Sequence, residues 1–382
     1  MGTDADICAG FEQGPIRPPN EASSLLVRVT RGCPWNRCAF CPVYKGTSFS
    51  LRSVAQIEPD IGAMAAVAAR IAGRAQDEGA VTGAMLYELF GEQAADALQV
   101  ARFVATGGRT AFLQDANSLI MPVEGLVRVL RALRQAFPGL RRVTTYARAH
   151  TVTKRSVADL VRLREAGLDR IHIGLESGSD RVLELMDKGA SAARHIDAGR
   201  RAKQAGMELS EYIMPGLGGR ALSAEHAAET ARVLREIEPH FIRIRTLAIA
   251  PGTPLGRMHE RGELEPLGEV ETMRELRALL AGLAGTSATV RSDHVLNLLE
   301  EISGTLPEAL PRLLGVLDRF LGLAPEEQEL FIAGRRLGIL RRLDDLDDPR
   351  LRHPAAAARE QLRERFPGPI DHAMAQIKRG FV

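Results

Sequence analysis

Residues 24–46 read SLLVRVTRGCPWNRCAFCPVYKG. The first seven are apolar and β-branched enough to predict a strand, and that strand runs directly into a loop carrying Cys33, Cys38 and Cys41 in the spacing C-x4-C-x2-C. Three thiols this close can hold a metal, form a disulfide, or do nothing. The rest of the chain has to decide.

The 382 residues, 45% hydrophobic and 26% charged, suffice to bury a sizeable core and exclude wholesale disorder. Lys and Arg number 50 against 48 Asp and Glu, a balance that argues against a nucleic-acid partner or a membrane-directed field. The opening MGTDADICAGFEQG lacks the basic start and apolar core of a signal peptide, and no apolar run is long enough to span a bilayer. A soluble, cytoplasmic protein is expected. In that reducing compartment clustered cysteines point to a metal site or redox chemistry and away from a disulfide framework. Cys8 stands apart and reads as a free thiol in a loose N-terminal arm.

From residue 24 to about 256 short apolar strands alternate with helical stretches, the pattern of a parallel α/β sheet or barrel. Strands are expected within 24–30, 109–117, 141–150, 170–180, 207–219 and 240–254. Between them, 124–137 places Leu126, Val129, Leu130, Leu133 and Phe137 on one helical face and stops at Pro138–Gly139. A second helix over 156–167 opens on the capping pair Ser156 and Asp159. Residues 53–108 predict two helices with an inserted turn, and the chain after Pro254 reads as predominantly helical. The expected division is an N-terminal arm (1–23), a barrel (24–256) and a C-terminal mainly helical region (257–382).

In RIHIGLESGSD (170–180) Ile171, Ile173 and Leu175 alternate with His172, Gly174 and Glu176, so one face suits a helix layer and the other a polar lumen. Glu176 then falls at the strand's C-terminal end, the edge where α/β folds bind ligands. In HFIRIRTLAIAPGTP (240–254) Ile242 and Ile244 face one way and Arg243 and Arg245 the other. Two lumen-facing arginines need anionic partners, either a bound carboxylate or acidic side chains of neighbouring strands.

Three thiolates from one loop can hold three corners of an iron–sulfur cluster or three sites of a zinc ion. Structural zinc wants a fourth protein ligand, and neither flank of the loop supplies a histidine. A [4Fe-4S] cube on three cysteines leaves one iron open for a ligand. Spacing favours the cube and leaves zinc as the alternative.

The strand into a cysteine triplet, with Phe40 immediately before the last cysteine, resembles the radical S-adenosylmethionine (SAM) superfamily. The likeness continues through LQDAN (113–117), GLESGSDRVLELMDKG (174–189), YIMPGLGG (212–219) and PGTPL (251–255), nearest the coproporphyrinogen oxidase-like, methylthiotransferase and elongator-type branch. One departure is that the family's usual spacing is C-x3-C-x2-C. The resemblance implies a partial (β/α)6-type barrel with a C-terminal helical appendage. It also implies a [4Fe-4S] cluster on Cys33, Cys38 and Cys41, SAM at its open iron, and an electron donor of flavodoxin or ferredoxin type.

Carried over by position, Phe40 packs near the adenine. Gln114 and Asp115 take the place of the segment that meets the SAM amino group, without its glycines. Glu176 and Ser177 contact SAM after the fourth strand, Lys188 meets the SAM carboxylate, and Ile213 and Gly216 bring backbone to the adenine. On the substrate side Tyr146, Arg148, Tyr212, Arg243 and Arg245 point into the lumen, and His294 lies in a segment able to close it. The expected activity is reductive SAM cleavage to a 5'-deoxyadenosyl or related radical acting on a small or medium-sized metabolite. A non-catalytic haem or metal-cofactor chaperone and an RNA-modifying enzyme are the alternatives. No second cysteine cluster supports methylthio transfer, no D-x-H-x-x-G signature supports cobalamin, and no acetyltransferase-sized segment is expected to follow.

Overall fold

The computed structural model describes residues 10–379, so Cys8 lies outside the described residues. The fold class is α/β with mostly parallel strands. The chain divides into two compact units, one with the bounds Met1–Asn36, Gly46–Ile173 and Arg200–Leu209, the other Arg37–Lys45, Gly174–Gly199 and Ser210–Val382.

The first unit opens with the strands Leu25–Arg28 (β1), Thr30–Arg31 (β2) and Ser50–Leu51 (β3). β2 pairs antiparallel with β3, which brackets the cysteine loop at its base. Three helices follow, Val54–Glu78 (α1), Gly83–Phe90 (α2) and Ala94–Ala105 (α3), where the sequence predicted two. The extra break falls at Gly91, which takes φ +55° and ends α2 against a 3-10 turn; no apolar gap in the sequence marks it.

Then come Thr110–Gln114 (β4), Val123–Ala136 (α4), Arg142–Ala147 (β5), Ala149–Thr153 (α5), Val157–Glu165 (α6) and Arg170–Glu176 (β6). β1, β4, β5 and β6 lie side by side and parallel, with Leu26 opposite Phe112, Phe112 opposite Thr144 and Tyr146 opposite His172. α4 forms as predicted, burying Leu126, Val129, Leu130 and Leu133. α6 is capped by the Ser156 side chain, which accepts from the Asp159 N–H at 3.0 Å. β5 stops at Ala147, three residues short of the expected end, because Ala149–Thr153 turns into a helix.

The second unit contains Asp180–Leu185 (α7), Ala192–Gln204 (α8, whose last turns belong to the first unit), Glu208–Ile213 (β7), Gly219–Ile237 (α9), Phe241–Ile244 (β8), Pro254–Glu260 (α10) and Glu269–Ala281 (α11). After them come Thr289–Arg291 (β9), Gly304–Thr305 (β10), Leu310–Leu321 (α12), Pro325–Arg336 (α13), Pro349–Arg365 (α14) and Ile370–Arg379 (α15). β7, β8 and β9 are parallel neighbours and β10 runs antiparallel on β9. These last two strands stand in the region read as helical. At three and two residues they carry no periodicity of their own and exist because the free edge of β8 supplies a partner for β9, and β9 in turn for β10.

A core cluster of this unit gathers Ala39, Val182, Met186, Met214, Leu217, Leu255 and Leu264, with Phe40 and Leu247 against it. At about 1.5–3 kcal/mol per fully buried large apolar side chain, this cluster is a main source of order for the segment bearing the second and third cysteines. No helix among the described residues is long and apolar enough to cross a membrane.

Candidate active site

On the first unit, β1 and β2 deliver the chain to Gly32 and Cys33. Gly32 takes φ +76° and its N–H donates to Asp115 Oδ2 at 3.1 Å, at the end of β4. The same carboxylate oxygen accepts from Arg28 Nε and Nη2 at 3.1 and 2.8 Å. Residues 12–16 lie across these strand ends as a strap. Glu12 pairs with Arg28, Arg31 and Arg52 at 2.9, 2.6 and 3.2 Å. Its bond to the Arg31 guanidinium is the main cause that holds the Glu12 carboxyl below the usual carboxylate range.

Gln114 is spent on the same strap: its Oε1 accepts from the Gly14 N–H at 2.9 Å, and its Nε2 donates to the carbonyls of Gly14 and Ile16 at 3.2 and 2.7 Å. Gln114 and Asp115, fully buried, thus serve the strap and the Gly32 turn. Within the insertion that lengthens the cysteine spacing, the Trp35 ring lies under the Arg148 guanidinium at 4.8 Å, and Asn36 takes φ +47° with its N–H 3.5 Å from Cys33 Sγ. Arg148 is therefore engaged by the loop. Tyr146 packs edge-on against Phe112, ring centroids 5.1 Å apart, with His172 at 5.8 Å.

On the second unit, the segment with Cys38 and Cys41 is clamped from two sides. The Ala39 N–H donates to Met186 O at 2.8 Å, and Ala39 O accepts from the Leu255 N–H at 3.0 Å. Lys188 sits over Phe40 with Nζ 5.6 Å from the ring centroid, and it pairs with Glu176 Oε1 at 3.0 Å. Glu176 takes φ +62°, a conformation an L-residue adopts only under constraint, and its carbonyl accepts from the Met214 N–H at 3.0 Å. Gly174 leaves the room: a Cβ there would come within 2.2 Å of Glu176 Oε1 and 3.0 Å of Lys188 Nζ. A cleft of about 40 Å³ is lined by Phe40, Cys41, Met214, Arg245 and Leu247.

Sequence reasoning passed over Glu211. Its carboxylate is wholly buried with no hydrogen-bond partner among the described residues. Burial pushes it well above the usual carboxylate range, Glu176 pushes it further, and Lys188 opposes. The signal was there as an acidic residue in the middle of an otherwise buried strand.

The remaining predicted residues divide. Tyr212 stands opposite Arg243 in the β7–β8 register, and Arg243 is ion-paired with Asp293. Asp293 is thus an acidic partner, of the kind foreseen, for one of the two arginines. Burial first, then the nearby Arg245, pulls His294 down to about 4 against Asp293, so it is a neutral imidazole at pH 7, its Nδ1 accepting from the Leu296 N–H at 3.2 Å. Ser177 is fully buried and its Oγ faces His226 Nδ1 at 2.8 Å. Ile213 is buried, and Gly216, at φ +89°, donates its N–H to Glu275 Oε1 at 2.6 Å.

Cys33, Cys38 and Cys41 form no disulfide, and each is partly exposed. Among the described residues no three His, Cys, Asp or Glu side chains are placed to hold a single metal ion, which needs its ligands converging on one point. A cubane asks for less, one thiolate to each of three irons. Three thiols on one loop, a neighbouring aromatic, a partly buried cation and a buried partnerless carboxylate are a donor set that suits such a cluster with a charged ligand.

A parallel α/β fold with this thiol loop at its strand ends defines a metal-cofactor enzyme. The profile of the Radical SAM superfamily matches residues 27–234, and the chain belongs to that superfamily, whose members use a [4Fe-4S] cluster and SAM. Two tRNA uridine(34) acetyltransferases are similar over part of their length. That of Methanocaldococcus infernus is 26% identical over 124 residues, 31% of this chain and 22% of that protein. That of Methanocaldococcus jannaschii is 24% identical over 121 residues, 30% and 21%. The chain thus spans about a fifth of the length of these relatives. Among solved structures, coproporphyrinogen III oxidase from Escherichia coli superposes with a TM-score of 0.45 at 15% identity, covering 73% of this chain and 54% of that one.

Proposed function

We propose that this chain binds a [4Fe-4S] cluster through Cys33, Cys38 and Cys41 and cleaves SAM reductively to act on a small or medium-sized metabolite. The cluster, when bound, supplies the electron that breaks a sulfur–carbon bond of SAM, yielding methionine and a 5'-deoxyadenosyl radical. The observation that carries the reading is the group Phe40, Lys188, Glu176 and Glu211, which sits beside the loop segment of Cys38 and Cys41.

Each member has a task for this chain. Lys188 offers a cation to the SAM carboxylate, held in place by Glu176. Phe40, fixed by the bonds of Ala39, offers an apolar face to the adenine. Glu211, buried and partnerless, accepts from a donor group of the bound ligand or holds a proton beside it. Arg243 and Arg245 line the substrate side with Tyr212, while Gln114 and Asp115 set the path of the loop into Cys33.

Anaerobically reconstituted protein, given SAM and a strong reductant, is expected to release 5'-deoxyadenosine and to carry about four irons per chain; absence of any SAM cleavage product from iron-loaded protein overturns the reading. The partial match to tRNA uridine(34) acetyltransferases makes an RNA nucleoside the second substrate class for the same assay.

A further inference from the structure

The segments following β6 and β7 are tied together by side chains that no part of the proposed chemistry uses. Ser177 Oγ meets His226 Nδ1 at 2.8 Å. His226, on α9, places Nε2 3.7 Å from Glu275 Oε1, and that oxygen accepts from the Gly216 N–H at 2.6 Å. The side chains of His226 and Glu275 are wholly buried, and Ser177 is fully buried as well. Next to Ser177, Gly178 donates its N–H to Thr230 Oγ1 at 2.9 Å, also on α9. A Cβ on Gly178 would stand 2.2 Å from the Glu229 carbonyl, so the segment is pressed against the helix with no slack.

Burying an imidazole and a carboxylate is costly, and a greasy pair of the same volume would serve packing better. What the polar pair provides is direction. A carboxylate fixes one particular N–H, and an imidazole fixes one particular hydroxyl. The two groups so fixed lie one residue from Glu176 and two from Met214, the residues that close the ends of β6 and β7 beside Lys188 and Phe40.

We infer that His226 and Glu275 are positioning residues: reaching in from α9 and α11, they lock the Ser177 and Gly216 turns, and thereby hold the SAM-contacting segments in their bound shape before SAM arrives. α11 lies outside the matched Radical SAM segment 27–234, so the C-terminal region has a part in forming the cofactor site. The inference rests on the proposed SAM reading and adds residues to it.

Preorganisation of this kind is read in affinity and in local opening. Glu275→Ala and His226→Ala are to be compared with the wild type and with Glu275→Gln, which keeps an acceptor for the Gly216 N–H. Amide exchange, measured without SAM, is expected to accelerate at residues 214–219 in Glu275→Ala and at 176–179 in His226→Ala, with the rest of the β-strands as protected as in the wild type. On iron-loaded protein, SAM dissociation constants by equilibrium dialysis are expected to rise about tenfold in both, with iron content unchanged and recovery to within about threefold in Glu275→Gln. Variants that bind SAM like the wild type overturn the inference, as does global loss of protection. Wild-type protein that loads iron and binds no SAM removes the SAM reading itself, and the inference with it, a result distinguishable because it appears before any variant is made.

Discussion

Lys188 Nζ lies 3.0 Å from Glu176 Oε1 and 5.6 Å from the centre of the Phe40 ring. One cation thus joins the strand end after β6 to the residue that precedes the third cysteine. The pair is partly buried, where a charge retained without its partner costs several kcal/mol.

Lys188→Met is therefore expected to weaken SAM binding by more than tenfold and to leave iron loading intact, with Lys188→Arg recovering part of the loss. Equilibrium dialysis on iron-loaded protein checks both. Equal affinity in the methionine variant removes Lys188 from the cofactor site.

Replacing Cys33, Cys38 or Cys41 singly by Ala is expected to abolish stable cluster loading, read as loss of iron and of the broad brown charge-transfer absorption. Loading at the wild-type level in any one variant means that its cysteine is not a ligand. The inserted loop residue is expected to change the loop's path without moving the ligands, so no exception is predicted for Cys33.

Glu211 carries a stability cost that depends on pH. Its carboxyl in the folded chain is raised above the unfolded value of 4.5, so the folded state retains a proton that the unfolded state loses. Its contribution is fully present below pH 4.5 and is lost as pH climbs through the folded value. Glu211→Gln is expected to gain on the wild type in denaturant midpoint as pH rises from 4.5 to 8, while SAM affinity falls. A constant difference across that range contradicts the assignment.

Glu269 behaves oppositely. Burial alone would raise its carboxyl, but Arg336 at 2.7 Å and Lys378 at 2.7 Å outweigh burial and bring it down to about 2 from 4.5. The contribution, about 3 kcal/mol, is present above pH 4.5 and lost as pH falls through 2. Glu269→Gln is expected to lower stability at pH 7 by about that amount and to converge on the wild type near pH 2, by urea titration. The three side chains join α11 to α13 and α15, so the loss should appear as early release of the last helix.

The class of fold was legible from alternation. β1, β4, β5, β6, β7 and β8 all form within the apolar stretches read as strands, though β7 and β8 stop at Ile213 and Ile244, well short of the expected 219 and 254, and α4 and α6 form where apolar positions at 3.6 spacing and a capping serine predicted them. The third helix in 53–108 and the strands β9 and β10 were not legible, because the first follows from one glycine's φ and the others from a neighbour's open edge.

For the candidate site the sequence singled out Cys33, Cys38 and Cys41, with Phe40, Glu176 and Lys188, since fixed spacing along strand ends and loops places them within a few residues of a predictable edge. It assigned cofactor contacts to Gln114 and Ser177 without foreseeing that the strap at 12–16 engages one and His226 the other. It passed over Glu211, whose meaning depends on having no partner, a property of the packed interior alone.

Local pattern thus determined which residues stand at the strand ends, because side-chain direction in a strand repeats every two residues regardless of what lies elsewhere. Only the tertiary structure decided which of those side chains are already bonded, which charge faces which, and that His226 and Glu275, 49 and 59 residues from the groups they hold, meet beneath the same two turns. Those outcomes depend on contacts between elements distant in sequence, and burial, which sets the cost of every unpaired charge, exists only once the chain has closed around them.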